Sequence, residues 1–359
     1  SQTAKTGSID VNKVWSYKTN EDIFSRVTQL ADSKNHGMVM MVYWSGSMHG
    51  MIYKTVVQTI VLATFCQRVG IPFDVYNFSD QNTSLDSRFG EKRLYAERDN
   101  PSLAGKTFIM SGVRLHHMLT SNMKKSEFQK ACNNYLFIAW MMENAWGYCR
   151  TSATNDVDLT LGGTPLNHSL IILDKVIDVF KKKHNVEKMN LVVLSDGDSN
   201  GLQVVRDYNV DHADTTDRFG SINVVVDGKT ITTQGRRSGV TKALLENLKK
   251  RYGVTTLGFF ISQDTRDWKS KIAEIDGLHW IDNDSKFYKE MQKQYNKNKV
   301  AIVEKALGYD KFFMIKSGKN LSAEDESIAN TETDHMTTAQ IRNTFKKISK
   351  NNRNNKVLM

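Results

Sequence analysis

The chain has 359 residues, of which 40% are hydrophobic and 25% charged, the proportions of a folded globular protein, so wholesale disorder is excluded. No apolar run approaches the roughly 20 residues that cross a bilayer, and the opening SQTAKTGSID lacks the apolar stretch of a secretory signal, so a cytoplasmic protein without membrane contact is expected. The formal net charge of +10 favours an acidic partner, and Cys66, Cys132 and Cys149, far apart and without CxxC spacing, read as reduced thiols and not as a disulfide framework or zinc site.

In chain order, residues 1–36 read as an N-terminal extension that ends in a helix. Asn20 can cap it, Glu21 and Asp22 suit its first turn, and Ile23, Val27 and Leu30 repeat at helical spacing. Residues 37–307 read as one α/β domain. The continuous apolar run Met38 to Trp44 predicts a buried strand, followed by the turn SGSMHG. A helix over Met51 to Val69 carries Val56, Val57, Ile60, Val61 and Phe65 on one face, and Gly70 stops it. Pro72 to Phe78 is a second strand, and strand, helix, strand predicts a parallel crossover. The alternation resumes with a helix over Pro165 to Phe180, a strand over Asn190 to Leu194 and a helix over Val240 to Tyr252. A strand over Val254 to Ile261 and a helix over Ser285 to Lys305 complete it.

Two insertions interrupt the pattern. Residues 79–158 hold a helical, aromatic-rich segment from Ser126 to Tyr148, too long for an ordinary loop. Residues 220–234 contain INVVVDGKTITT, where Asp227-Gly228 between β-branched runs predicts a two-residue hairpin turn. Residues 308–359 read as a polar, basic tail with one helix from Thr337 to Ser349. Its Arg342, Lys346, Lys347, Lys350, Arg353 and Lys356 fit a solvated face better than a binding site, with nucleic acid the partner they would suit. The expected architecture is therefore a Rossmann-like, doubly wound, mostly parallel sheet with a helical and a hairpin insertion.

Chemistry concentrates at three strand-end turns. Ser45-Gly46-Ser47 follows the first long strand, Gly162-Gly163-Thr164 precedes a helix, and Asp196 follows a later strand. Open α/β sheets bind ligands beyond the carboxyl ends of their strands. Hydroxyl and carboxylate oxygens from three such turns suit a hard cation such as Mg²⁺ or Mn²⁺.

This set resembles the metal-ion-dependent adhesion site (MIDAS) of the von Willebrand factor type A (VWA) family, Asp-x-Ser-x-Ser, then Thr, then Asp. By position, the resemblance implies Ser45, Ser47, Thr164 and Asp196 as metal ligands, with Tyr43 in the place of the usual Asp. A neutral phenol there weakens the implied Mg²⁺ or Mn²⁺ site. The helical insertion after PFDVYNFSD, the stretch GVRLHHML, the strand VTTLGFFIS and the segment HWID are similar to the VWA domain of the aerobic cobaltochelatase subunit that works with a MoxR-class AAA+ ATPase. The resemblance implies a non-catalytic module that recognises a protein client for such an ATPase. A subunit of a metal-insertion complex and a nucleic-acid-binding protein are the alternatives.

Other signals read as structural. Asp196 to Asp207 has EF-hand-like spacing, but it follows a strand and ends in Asp. Gly105-Lys106-Thr107 lacks the earlier glycine of a phosphate-binding loop, and His116-His117 lack metal spacing. The turn SGSM is not a nucleophile elbow. The stripe Phe137 to Trp146 reads as core packing.

Overall fold

A computed structural model describes residues 2–9, 24–29, 35–80, 113–144, 159, 161–197, 199, 202, 222–226, 229–233, 237–262, 264–278 and 282–316. Strands β1 (Gln2–Ile9) and β2 (Phe24–Gln29) pair antiparallel. The helix expected from Asn20 is thus corrected to a strand: backbone pairing with β1 overrides a weak local helical period.

The main sheet has seven strands: β3 (His36–Tyr43), β4 (Phe73–Asp80), β5 (Val113–Thr120), β6 (Lys188–Ser195), β9 (Val254–Ser262), β10 (Ala301–Glu304) and β11 (Lys311–Lys316). Their order is β10-β11-β9-β6-β3-β4-β5. Only the two edge strands, β10 and β5, run antiparallel to their neighbours. The parallel interior is buried on both faces, which is why β3, β6 and β9 read as near-continuous apolar runs. The remaining strands, β7 (Ile222–Val226) and β8 (Lys229–Thr233), form the hairpin anticipated from Asp227-Gly228, although the two turn residues lie outside the described set.

Among the described residues, six helices accompany the sheet: α1 (Ile52–Val69), α2 (Lys125–Asn144), α3 (Leu166–His184), α4 (Arg237–Tyr252), α5 (Thr265–Ile275) and α6 (Lys286–Asn298). Successive residues of a strand face opposite ways, and β3 shows what each face meets. Met38 lies against Cys66 of α1, with the sulfurs 3.9 Å apart. On the other face, a Cβ on Gly37 would stand 2.8 Å from both Phe180 of α3 and Val186. Only glycine admits that close approach of helix to strand. Helices therefore cover both faces, with α2 packed on α1 and α4 on α3. The chain is a mixed α/β protein built on a mostly parallel seven-stranded sheet.

Local chemistry sets the helix limits. Gly70 (φ 73°) and Asn185 (φ 49°) end α1 and α3 in left-handed caps. Asp264 accepts from the backbone N–H groups of Arg266 and Asp267 to start α5, and Ser285 Oγ accepts from Tyr288 N at 3.0 Å to start α6. The helix expected as far as Lys305 stops at Asn298. Lys299 turns left-handed (φ 62°) and the chain re-enters the sheet as β10.

Two further boundaries move. The insertion expected over 79–158 is not wholly an excursion, because β4 continues to Asp80 and β5 joins the sheet as an edge strand. The tail expected from 308 begins later, since β11 runs parallel to β9 with Phe312, Phe313, Met314 and Ile315 buried. A four-residue apolar run beside a polar tail is too short to announce a strand by periodicity. The helix expected over Thr337 to Ser349 and the basic residues from Arg342 to Lys356 lie outside the described residues.

The stripe on α2 divides. Ala139, Met141 and Met142 are buried as expected, whereas Phe137 and Trp140 are 54% and 52% exposed, stacked on each other at 6.4 Å. Cys66 and Cys132 are buried free thiols, whose pKa burial pushes up to about 12. Among the described residues, no helix is long and apolar enough to cross a membrane.

Candidate functional site

The carboxyl edge of the sheet gathers several strand ends. In the parallel register, Val42 of β3 pairs with Leu194 of β6, and Tyr43 pairs with Phe78 of β4. The turns after β3 and β6 therefore leave the sheet side by side, with the end of β4 on the other flank. After Tyr43 the chain stays extended through Ser45 and then enters a single 3-10 turn, Gly46–Met48, that leads into α1.

A second loop docks directly on this turn. Ser45 and Gly162 form a parallel bridge, Gly46 N donates to Gly162 O at 2.9 Å, and Gly162 N donates to Trp44 O at 3.2 Å. The Trp44 indole reaches along the same loop and donates to Leu159 O at 2.7 Å. Ser79 Oγ of β4 also donates to Trp44 O, at 2.7 Å. These bonds seat the loop that leads to Thr164, two residues past Gly162, on the turn after β3.

The third turn is tied to the second. Ser199 Oγ accepts from Asn167 N at 2.9 Å and donates to Thr164 O at 3.4 Å. The Asn167 carboxamide oxygen accepts from Thr241 Oγ1 at 2.6 Å, which anchors the start of α3 to α4. The segment that begins at Asp196 is thereby drawn onto the Thr164 turn.

At the turn after β3, Ser45 is buried and its hydroxyl lies 2.8 Å from that of Ser47. Ser47 is exposed, while Thr164 and Asp196 are half-buried. The Ser45 and Ser47 hydroxyls of one Gly-containing turn are thus in contact with each other. Tyr43 does not join them. It is 0% exposed, and its ring packs on Phe78 with centroids 4.9 Å apart. The position at which the MIDAS pattern requires a carboxylate is filled by a core aromatic.

Sequence reading passed over Asp80. This carboxylate at the end of β4 accepts from Gly163 N, and a Cβ on Gly162 would stand 2.5 Å from Asp80 O and 2.6 Å from both Asp80 Oδ1 and Ser79 Oγ. Burial raises the Asp80 pKa, opposed by the backbone N–H groups of Gly163 and Asp80 and by the Arg114 charge. The Ser79-Asp80 pair closing an apolar strand was the available signal, but which loop it clamps depends on the fold.

The donors that the resemblance implies are oxygen throughout: the hydroxyls of Ser45, Ser47 and Thr164 and the carboxylate of Asp196. Among the described residues, no group of three His, Cys, Asp or Glu is placed to hold a metal. The chemistry of these donors fits a hard cation with little negative charge in its shell, and hence weak binding. The EF-hand-like spacing cannot be followed, because Asp198, Asn200 and Gly201 lie outside the described residues.

No family model matches this sequence, and no curated protein does. Among solved structures, the pilus adhesin SpaC of Lactobacillus rhamnosus GG in its open conformation is similar over 82% of this chain and 29% of that one, at 13% identity and TM-score 0.40. The pilus adhesin RrgA of Streptococcus pneumoniae is similar over 76% of this chain and 46% of its own, at 9% identity and TM-score 0.33. The human COPII-coat protein Sec24c is similar over 65% of this chain and 27% of its own, at 10% identity and TM-score 0.32. The chain spans less than half of each.

These findings correct the family expectation. No family model and no curated protein supports the VWA assignment or the cobaltochelatase likeness. The client-recognition role beside a MoxR-type ATPase falls with it, and nothing found favours the chelatase or nucleic-acid alternatives. The MIDAS assignment is corrected as well: no metal-holding group is found among the described residues, and buried Tyr43 gives the physical reason, since the leading carboxylate is missing.

Proposed function

We propose that this chain is a non-catalytic binding module on a Rossmann-like scaffold, with its ligand site in the hydroxyl-lined cleft at the carboxyl edge of the sheet. The observation that supports this reading is the docking of the Gly162–Thr164 loop on Ser45-Gly46 through Gly46 N and Gly162 O at 2.9 Å. On this reading that docking would bring Ser45, Ser47 and Thr164 to one opening, and the Ser199 contacts with Asn167 N and Thr164 O favour the approach of the Asp196 segment. Ligand sites favour this edge of open α/β sheets.

Within this reading, Ser45, Ser47, Thr164 and Asp196 would hold a Mg²⁺ or Mn²⁺ ion. When bound, the cation supplies a Lewis-acid anchor for an anionic group of the ligand. The residues of the chain do the rest. The Ser45 and Ser47 hydroxyls, already turned to each other, need little reordering, Asp196 contributes negative charge, and the clamp of Asp80 on Gly163 N keeps the threonine loop seated.

The test is thermal denaturation against Mn²⁺ and Mg²⁺. An ion with a millimolar dissociation constant stabilises the folded chain by about 1.4 kcal/mol at roughly 10 mM, from RT ln(1 + [L]/Kd). The melting temperature of the unaltered protein is expected to rise with metal, and that of Ser47→Ala combined with Asp196→Asn to stay flat. Equal shifts in both proteins, or none in the unaltered one, overturn the cation assignment.

A further inference from the structure

Strand β11 ends at the carboxyl edge of the sheet, the edge at which open α/β sheets bind ligands. It runs parallel to β9, and its last residue, Lys316, pairs with Ser262 at the end of that strand. Two helices meet the same corner: α5 starts just after β9, and the chain leaves α6 at Lys299 to enter β10 beside β11. Lys316 is half-buried there, so solvent still reaches it.

Its amine lies in the angle between two aromatic rings. Lys316 Nζ stands 4.7 Å from the ring centroid of Trp268 and 4.6 Å from that of Tyr295, and the two centroids are 4.9 Å apart with the rings tilted by 59°. The three points make a nearly equilateral triangle, and both rings are buried. Two more lysines share the corner. Lys299 Nζ lies 5.9 Å from the Tyr295 centroid, and Lys269, next to Trp268 in α5, lies over Tyr288 at 5.8 Å.

Lys271 shows what a purely structural lysine looks like here. It too lies over a ring, 5.2 Å from the centroid of Phe260, but its ammonium is paired with Glu274 at 2.7 Å. Lys316 is placed differently. A ring face attracts an ammonium less strongly than a carboxylate does. Burial disfavours the charged amine, the charges of Lys269 and Lys299 add to that cost, and the pKa is held below the ordinary lysine value. Lysine becomes a nucleophile when it is desolvated among apolar groups or set beside another cation. Lys316 meets both conditions.

We infer that Lys316 is a nucleophilic amine that forms an imine with a small aldehyde carrying an anionic group, the carbonyl carbon bonding to Nζ and the anion resting beside Lys269 and Lys299.

The reaction balances between the two partners. The Nζ lone pair attacks the carbonyl carbon and the carbonyl electron pair moves to oxygen. The two amine hydrogens then leave with that oxygen as water while the C=N bond forms.

The probe is pyridoxal 5′-phosphate, an aldehyde with a phosphate group, added to the whole chain at neutral pH, reduced with borohydride and located by peptide mass spectrometry. Lys316 is expected to carry the earliest adduct, several-fold ahead of Lys293 and Lys297, which are exposed on α6 and easier to reach. Its labelling rate should reach half its maximum below about pH 10.4, the ordinary lysine value. Lys316→Arg keeps a charge between the rings and removes the nucleophile, so the imine absorbance should fall while the melting temperature holds. Lys269→Gln combined with Lys299→Gln should slow labelling by pyridoxal 5′-phosphate more than labelling by pyridoxal, which lacks the phosphate. Equal labelling of Lys316, Lys293 and Lys297 overturns the inference, as does a midpoint at the ordinary lysine value or an undiminished imine signal in Lys316→Arg. A double glutamine variant that slows both aldehydes alike overturns the anionic ligand. The adduct map of the unaltered chain decides the matter even where a variant melts early.

Discussion

At the scale of single residues, the cleft depends on a glycine. Gly162 is pressed against β4 so closely that any Cβ would collide with the Asp80 backbone oxygen at 2.5 Å, and backbone cannot swing aside as a side-chain tip can. Gly162→Ala should therefore push the 162–164 loop off Ser45-Gly46 and cost about 1 to 3 kcal/mol, the usual range for overpacking a tight site. Urea denaturation measures the cost. An unchanged midpoint would mean that the loop shifts freely and does not fix Thr164. Tyr43 makes the complementary point, because its position in the sequence pointed to a metal shell while its ring is buried on Phe78.

At the scale of elements, β11 carries the largest revision. It lies between β9 and β10, so its removal would open the sheet in its interior and strand β10. The loop before it is pinned by Asp310, which accepts from Thr256 N at 2.8 Å and from Lys249 Nζ at 2.8 Å. Burying an aliphatic or aromatic side chain contributes about 1.5 to 3 kcal/mol, and Phe312, Phe313, Met314 and Ile315 are all buried. That sum is comparable to the whole stability of an ordinary domain, about 5 to 15 kcal/mol. A chain ending at Gly308 should lose cooperative unfolding, whereas one ending at Lys316 keeps the sheet complete. Circular dichroism melts of the two chains make the comparison, and similar transitions would show that β11 is dispensable.

At the scale of the whole molecule, acid stability should turn on a buried histidine near the start of α3. His168 is 5% exposed, and its Nδ1 has no hydrogen-bond partner among the described residues. Burial lowers its pKa from 6.5 to about 4. In the window between these values the unfolded chain binds a proton that the folded chain refuses, so folding loses free energy as pH falls. The contribution is complete above pH 6.5 and is lost on the way to about pH 4, a change of roughly 3 kcal/mol. His168→Leu, apolar and of similar bulk, should flatten the stability profile across that window. An identical slope in the variant would assign the acid sensitivity to other groups.

The sequence by itself determined the local elements. The run Met38 to Trp44, the apolar face before Gly70, the hairpin around Asp227-Gly228 and the alternation of strands with helices all rest on signals between residues close in the chain. It also put forward Ser45, Ser47, Thr164 and Asp196 as candidate ligands, which the proposed metal titration tests. Pairing between distant segments decided the rest. Edge strand β5 and the N-terminal pair β1–β2 exist because of partners that no local window contains. The clamp of Asp80 on Gly163 spans 83 residues. Periodicity and capping are encoded within a few turns of chain, whereas a site is made where separate turns meet, and the order of strands in the sheet decides which turns those are.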